Sequence, residues 1–382
     1  MPDKTIAIVG GGPAGALAAE KLAGSGFPVL LLEEKPAWEK PCGGGVTPKA
    51  LDQYPFLADA VGDCNWVRSC ELISPSGRRA SFPFPRKIAV FSRRSLNGLL
   101  LDRARSAGAE IVRDRAVVIT GEGGKWRIRT SGGLDIPAGY VVIAAGARNP
   151  FRVRFTHPFS AHETMVATGY YLPGRSEVMQ LRFIDGLEGY IWTFPRSDHF
   201  SAGIVGKVND AGRTTAELRR LLDGFLAEEG FALLGAQVFA HVIPAPGVHT
   251  LRNTAWCGPG WAMVGDAAGL VDPITGEGIY YALRSGDLLA SAIATGRPEA
   301  YSSLLAQDML PELETAAGFA HMFYRGTLLG QPVLERMVQL VGKSIRFRDI
   351  MADLFTGAQS YLGLKNRCYR QMLPVLWQWM TS

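Results

Sequence analysis

Cys42 stands between a proline and three glycines in PCGGGVTPKAL, Pro41 to Leu51. Gly43, Gly44 and Gly45 let a planar group approach the backbone without Cβ clashes, and successive N–H groups can stabilise charge that builds up on it. The thiol has three readings: a redox partner, a proton donor or shape element in a substrate cavity, or a small buried hydrophobe. Dithiol chemistry needs a second cysteine, and Cys64 and Cys70 reach Cys42 only through folding. Cavity lining or tuning is the preferred role.

Three further stretches carry chemistry. Gly10, Gly12 and Gly15 form G-x-G-x-x-G in TIAIVGGGPAGALAAEKLAGSGFPVLLLEEK. The first glycine allows a tight turn, the second lets backbone approach a pyrophosphate, and the third lets helix and strand touch. The helix N-terminus offers N–H donors and a positive dipole end to phosphate. Glu33, or its neighbour Glu34, is placed to accept from a ribose. GWAMVGDAAGLVDPITGEGIYYALRSGDLLASAI, Gly260 to Ile293, supplies Asp266 for a polyol. Its Gly276-Glu277-Gly278 opening aims a helix dipole at a ring that becomes anionic on reduction. Tyr190, Trp192 and Phe194, in YIWTFP ending at Pro195, share one face of a strand. They form either an aromatic wall for an apolar substrate or plain core.

The elements that must position these residues are legible. Thr5–Val9 is apolar throughout and reads as a strand buried on both faces; Val29–Leu32 and Trp261–Val264 read likewise. Ala16, Ala18 and Ala19 suit a helix packed tightly on a sheet. Cys64–Phe91 and His162–Lys207 alternate between Gly and Pro boundaries, which predicts antiparallel strands. Thr214–Gly230 reads as an amphipathic helix, the stretch after it returns to the sheet, and helices follow from about Pro298 to Ser382.

The 382 residues, 47% hydrophobic and 20% charged, fit a soluble globular protein of two interleaved or consecutive domains. The net charge of +5 comes without a dense basic block, so no nucleic-acid partner is expected. Five scattered cysteines (Cys42, Cys64, Cys70, Cys257, Cys368) predict reduced thiols and a cytoplasmic setting, with no metal site. No signal peptide or membrane span is read. HETMV at His162 has Val166 where a zinc motif needs its second histidine. Neither a nucleophile elbow nor a P-loop occurs. No second G-x-G-x-x-G follows a strand, so electrons are expected from transiently docked NAD(P)H or a reduced protein.

Together the fingerprint, VVIAAGARNP (Val141 to Pro150) and the Gly265-Asp266 segment resemble the FAD-dependent oxidoreductases of the p-hydroxybenzoate hydroxylase fold. Hydroxylases of that fold usually carry G-D-A-A-H, whereas Gly269 stands here at the histidine position. PCGGGVTPKAL, YIWTFP and GDAAGLVDPITGEGIYYALRSG are instead similar to the geranylgeranyl reductase family. That resemblance implies an α/β fold, α+β overall: a Rossmann-like FAD-binding domain (1–60, 92–155, 250–297) interleaved with an antiparallel-sheet substrate domain (61–91, 156–249), plus helices over 298–382. It implies FAD contacts from Gly10, Gly12, Pro13, Ala14, Gly15, Glu33, Glu34, Lys35, Cys42 to Gly45, Ala145, Gly146, Gly265, Asp266, Pro273, Gly276, Gly278 and Ile279. Arg93, with Arg94 as the alternative, would lie near the cofactor, and Val117, in the strand after that helix, would meet the adenine.

The implied activity is hydride transfer from reduced flavin to a carbon–carbon double bond of a prenyl lipid. Cys42, Tyr190 and Trp192 are the candidate catalytic residues, and Phe194 and Pro195 complete the cavity. The alternatives are a flavin monooxygenase or halogenase on the same fold, or an electron-transfer flavoprotein that reduces no substrate. The tail YRQMLPVLWQWM is read either as a peripheral membrane contact or, preferably, as simple packing on the body.

Overall fold

Short strands without polar alternation belong in the middle of a parallel sheet, and that is where they lie. The computed structural model describes residues 4–60, 62, 64–207, 214–328, 330–364, 366–367 and 370–371. The chain forms two compact units, each built from three segments: Met1–Lys40, Arg93–Glu163 and Ile243–Glu314; and Pro41–Ser92, Thr164–Val242 and Thr315–Ser382. The helical stretch read over 298–382 is divided between them. The tail from Tyr369 lies outside the described residues apart from Arg370 and Gln371, and so does Cys368.

The first unit carries a six-stranded sheet in the order Cys257–Gly258, Trp261–Met263, Tyr140–Ile143, Ile6–Val9, Val29–Leu32, Glu110–Val112. All pairings are parallel except the first. Every residue of Ile6–Val9 is buried, and the strand lies between Tyr140–Ile143 and Val29–Leu32. Gly10 therefore leaves the carboxyl end of a central strand, where open α/β sheets bind ligands. Helix Pro13–Gly24 is lined by buried Ala14, Ala16, Ala18 and Ala19. A Cβ on Gly286, in helix Ile279–Ala294, would lie 2.3 Å from the Ala14 carbonyl oxygen, so the two helices touch backbone to backbone. A small antiparallel sheet, Ala116–Glu122, Lys125–Thr130 and Asp135–Ala138, completes this unit.

The second unit is an eight-stranded sheet in the order Gln237–Pro244, Thr164–Pro173, His199–Gly206, Gly189–Pro195, Val178–Phe183, Cys64–Ile73, Arg79–Phe91, Gly45–Val46. Val178–Phe183 pairs parallel with Cys64–Ile73; the other pairs whose direction is defined are antiparallel. One face, with Tyr170, Leu172, Ile191, Ala202 and Ile204, packs on Leu218, Leu222, Phe225 and Leu226 of helix Thr215–Glu228. That helix starts on a capping box between Thr214 and Glu217, which satisfies two otherwise orphaned N–H groups. The pleat sends Tyr190, Trp192 and Phe194 to the opposite face. There Phe183 meets Phe323 edge-on and Phe82 meets Phe355, so C-terminal helices cover part of it.

Candidate functional site

The glycine loop of the first unit uses its three glycines unequally. Gly10 has φ +108°, and a Cβ on it would lie 2.3 Å from the Ala144 carbonyl oxygen. A Cβ on Gly15 would lie 2.0 Å from the Gly10 oxygen. Both are bare because the protein itself fills the space. A Cβ on Gly12 would meet nothing within 4 Å, so its face opens onto free volume. Helix Pro13–Gly24 begins there with no side-chain cap, leaving its first N–H groups for a ligand. Glu33 accepts from the Gly11 N–H at 2.8 Å and from the Lys35 N–H at 2.8 Å. It therefore clamps the loop, whereas Glu34 and Lys35 are exposed.

Opposite the first helix, Asp266 sits in a turn, Gly265–Ala267, at the end of strand Trp261–Met263. Lys40 approaches it at 3.5 Å, and the same ammonium lies 3.6 Å from where a Cβ on Gly146 would stand. Ala145 and Gly146 follow strand Tyr140–Ile143. The loop onward is stapled by buried Asp272, whose carboxylate accepts from the Ile274 N–H at 2.8 Å and the Thr275 hydroxyl at 2.8 Å. This shapes Pro273 and Gly276 and delivers Gly278 as the N-cap, without a side-chain cap, of helix Ile279–Ala294.

Gly269 has a local cause. A Cβ there would lie 2.6 Å from the Phe159 ring, on which the Arg152 guanidinium stacks at 3.7 Å. Arg152 also donates to the Ala267 carbonyl at 3.0 Å, and burial pulls its pKa down to about 10. A buried cation thus anchors the turn that carries Asp266.

These residues fit a dinucleotide of the FAD type. The open Gly12 face and two helix starts without side-chain caps leave N–H groups that could hold phosphate and ring. Arg93 is buried; its Nη2 donates to Asn97 at 3.1 Å, and its Nε has no acceptor among the described residues. An arginine side chain kept from water with no carboxylate partner among the described residues suits an acceptor-rich ligand. Burial separates it from Arg94, which is exposed. Val117 needs correction in place: Glu110–Val112 is the strand after the Arg93 helix, and Val117 lies in the next one, 41% exposed.

In the second unit the triple glycine is filled from within at two of its three positions. A Cβ on Gly43 would lie 2.6 Å from the Phe194 ring and one on Gly45 3.6 Å from it. Gly44 has φ +89°, and its Cβ would lie 2.1 Å from the Phe91 carbonyl oxygen. At Gly43 and Gly44 the expectation of a face bare for a planar ligand is corrected, because the unit's own packing fills it; a Cβ on Gly45 would make only ordinary contact. Cys42, Cys64, Cys70 and Cys257 are not joined in disulfides, and burial pushes the Cys70 thiol well above the ordinary range.

Burial also divides the aromatic triplet. Trp192 is 5% exposed and its ring fills the space above Gly203, where a Cβ would lie 2.4 Å away. Tyr190 and Phe194 are half-buried, and Pro195 is buried. Tyr190 meets Trp192 edge-on at 6.4 Å, Trp192 stacks with Phe239 at 6.4 Å, and Phe239 meets Tyr171 at 4.8 Å. Sequence reading missed Lys40, Arg152, Phe159, Phe239, Asp272, Arg196 and Ser201. All but Asp272 act through a partner distant in sequence or through a backbone carbonyl, and neither leaves a motif; Asp272 staples its own loop through Ile274 and Thr275, a local signal the sequence does carry.

A family model described as pyridine nucleotide-disulphide oxidoreductase matches residues 4–161. The chain is 31% identical over 314 residues to the geranylgeranyl diphosphate reductase of Rhodobacter capsulatus, with 76% of each protein covered. It is 28% identical over 369 residues to the digeranylgeranylglycerophospholipid reductase of Methanospirillum hungatei, covering 90% of this chain and 86% of the other. Its fold superposes with a TM-score of 0.77 on a geranylgeranyl bacteriochlorophyll reductase-like protein of Thermoplasma acidophilum, at 23% identity over 96% of this chain and 99% of that one. The open cradle at Gly12, the Asp266 turn and the extent of these matches lead to one conclusion: the chain belongs to the geranylgeranyl reductase family of FAD-dependent oxidoreductases.

Proposed function

We propose that this protein saturates carbon–carbon double bonds of a prenyl chain carried by a lipid. Supporting this are the relatives named as reductases of geranylgeranyl compounds and the half-buried rings on strand Gly189–Pro195. The observation that carries it is the presence in one chain of a dinucleotide cradle and a strand face made wholly of aromatic side chains.

FAD, once reduced, supplies the hydride, and the neighbouring carbon takes a proton. In the first unit, Gly12 with the Pro13–Ala14–Gly15 helix start holds the pyrophosphate. Glu33 fixes the loop, with Glu34 and Lys35 at its rim. Asp266, oriented by Lys40, binds the polyol. Arg93, Ala145, Gly146, Gly265, Pro273, Gly276, Gly278 and Ile279 complete the cofactor site, and Val117 offers its backbone to the adenine. In the second unit, Cys42, Tyr190 and Phe194 line the substrate side, and Trp192 packs edge-on beside Tyr190; Pro195, expected with them, falls by the pleat on the other face, paired with Phe200. The Gly43–Gly45 backbone presents N–H groups. Such a wall aligns an apolar chain and excludes water.

The electron donor is NAD(P)H or a reduced protein docking transiently. The lipid is met at a membrane surface; among the described residues no helix is long and apolar enough to cross one.

Anaerobic reduction followed by mixing with a prenylated lipid tests the reading. Faster flavin reoxidation with a saturated product is expected. A transient hydroperoxide spectrum in air, with the prenyl compound untouched, would overturn it.

A further inference from the structure

A charge in the middle of a protein needs a reason. Arg196 is 0% exposed and is the bulkiest fully buried side chain among the described residues. It follows strand Gly189–Pro195 directly, in a turn closed by its own N–H donating to the His199 carbonyl at 2.7 Å. Its Nη2 donates to the carbonyl oxygen of Cys42 at 2.7 Å, and its Nη1 meets His199 Nε2 at 3.2 Å. Guanidinium nitrogens only donate, so Nε2 accepts, and the ring N–H is on Nδ1, donating to Asp198 at 2.6 Å. The same Cys42 carbonyl takes a second donor, the Ser201 hydroxyl, at 2.8 Å. Ser201 Oγ in turn accepts from the Trp192 indole N–H at 3.3 Å.

One carbonyl therefore receives two donors from strand His199–Gly206 and the turn before it. The peptide that follows is trans and planar, so its N–H points opposite to its C=O. Holding the Cys42 carbonyl inward turns the Gly43 N–H away from Arg196 and Ser201. That N–H has no acceptor among the described residues. The same clamp fixes the backbone from which the half-buried Cys42 side chain departs.

We propose that Arg196 is a positioning residue for the reductase. With Ser201 it clamps the Cys42 peptide, setting the direction of the thiol and leaving the Gly43 N–H for a ligand of the site. The indole of Trp192 supports the clamp through Ser201. The inference rests on the reading of Cys42 as a substrate-side residue.

The test reads Cys42 itself. The rate of iodoacetamide alkylation is followed by peptide mass mapping in the purified full chain, with Cys257 as internal control, and kcat and KM are measured with a prenylated lipid. Arg196→Met is expected to raise Cys42 alkylation roughly tenfold, the worth of one charge-assisted hydrogen bond. It should lower kcat by a similar factor with KM less changed. Arg196→Lys should restore both to within about threefold, because a charged donor remains. Ser201→Ala should shift Cys42 in the same direction by less.

Wild-type Cys42 rates in Arg196→Met overturn the proposal. Should Cys257 accelerate as well, showing that the methionine variant has unfolded, the decision passes to Ser201→Ala. Wild-type Cys42 rates in that variant overturn it. If the wild type reduces no prenyl lipid and Arg196→Met still releases Cys42, the clamp stands and the substrate reading falls.

Discussion

Two glycine-rich loops, Gly10–Gly15 in the first unit and Gly43–Gly45 in the second, look alike as text and differ in what occupies the missing side chains. In the first loop two glycines are filled by the chain's own backbone, and the face of Gly12 is left open. In the second, the Phe194 ring fills the face of Gly43 and the Phe91 carbonyl that of Gly44, while a Cβ on Gly45 would make only ordinary contact with Phe194. A glycine therefore signals close approach, but only the neighbours reveal whether the approaching atom is a ligand or the protein. The first loop is built around something it receives; the second is built around its own aromatic strand.

The comparison can be broken most violently at Gly10. Gly10→Ala combines a left-handed backbone with a Cβ clash at 2.3 Å and should cost about 3 kcal/mol. Calorimetry of the apoprotein and flavin content after purification should both fall; a wild-type melting profile would contradict the filled-face account. Gly43→Ala forces the Phe194 ring aside at about 2 kcal/mol. Because the clash is with one ring, Gly43→Ala/Phe194→Leu should recover at least half, a coupling of about 1 kcal/mol. Strictly additive losses in urea titrations would show that Phe194 is not what fills the space.

Gly12→Ala sharpens the contrast from the other side. Gly12 has φ −68°, which alanine accepts, so the apoprotein should melt unchanged or gain up to about 0.5 kcal/mol. FAD affinity, measured by fluorescence titration, should drop about tenfold, the loss of one phosphate-bound N–H geometry. Equal loss of stability and affinity would mean the open face is not a ligand face.

The smallest effect concerns acid. Burial pushes the Glu188 carboxyl up, yet hydrogen bonds from Lys207 and His321 outweigh it and hold it below the ordinary value of 4.5. A depressed carboxylate contributes stability that is complete above its unfolded value and is lost as pH falls through the folded one. Both partners reach it within the second unit, Lys207 at 2.9 Å and His321 at 2.7 Å. Glu188→Gln should flatten acid unfolding of that unit below about pH 4.5, read by tryptophan fluorescence, and leave the first unit's transition unmoved.

Much of the molecule was legible in the chain alone. The run Ile6–Val9, the alanines after Gly15 and the alternation in Gly189–Pro195 dictate strand, helix and strand, because apolar spacing is a local property that burial only executes. The order of three motifs identified the family before any coordinates. Tertiary structure decided what local spacing cannot encode. It buried Arg93 and left Arg94 exposed, made Glu33 a clamp on Gly11, and paired Lys40 with Asp266. It placed Phe159 where a side chain at position 269 would stand, and set Arg196 beneath Cys42, 154 residues away in the chain. Those outcomes depend on which surfaces meet once strands are ordered in a sheet, and no pattern within a few residues carries that information.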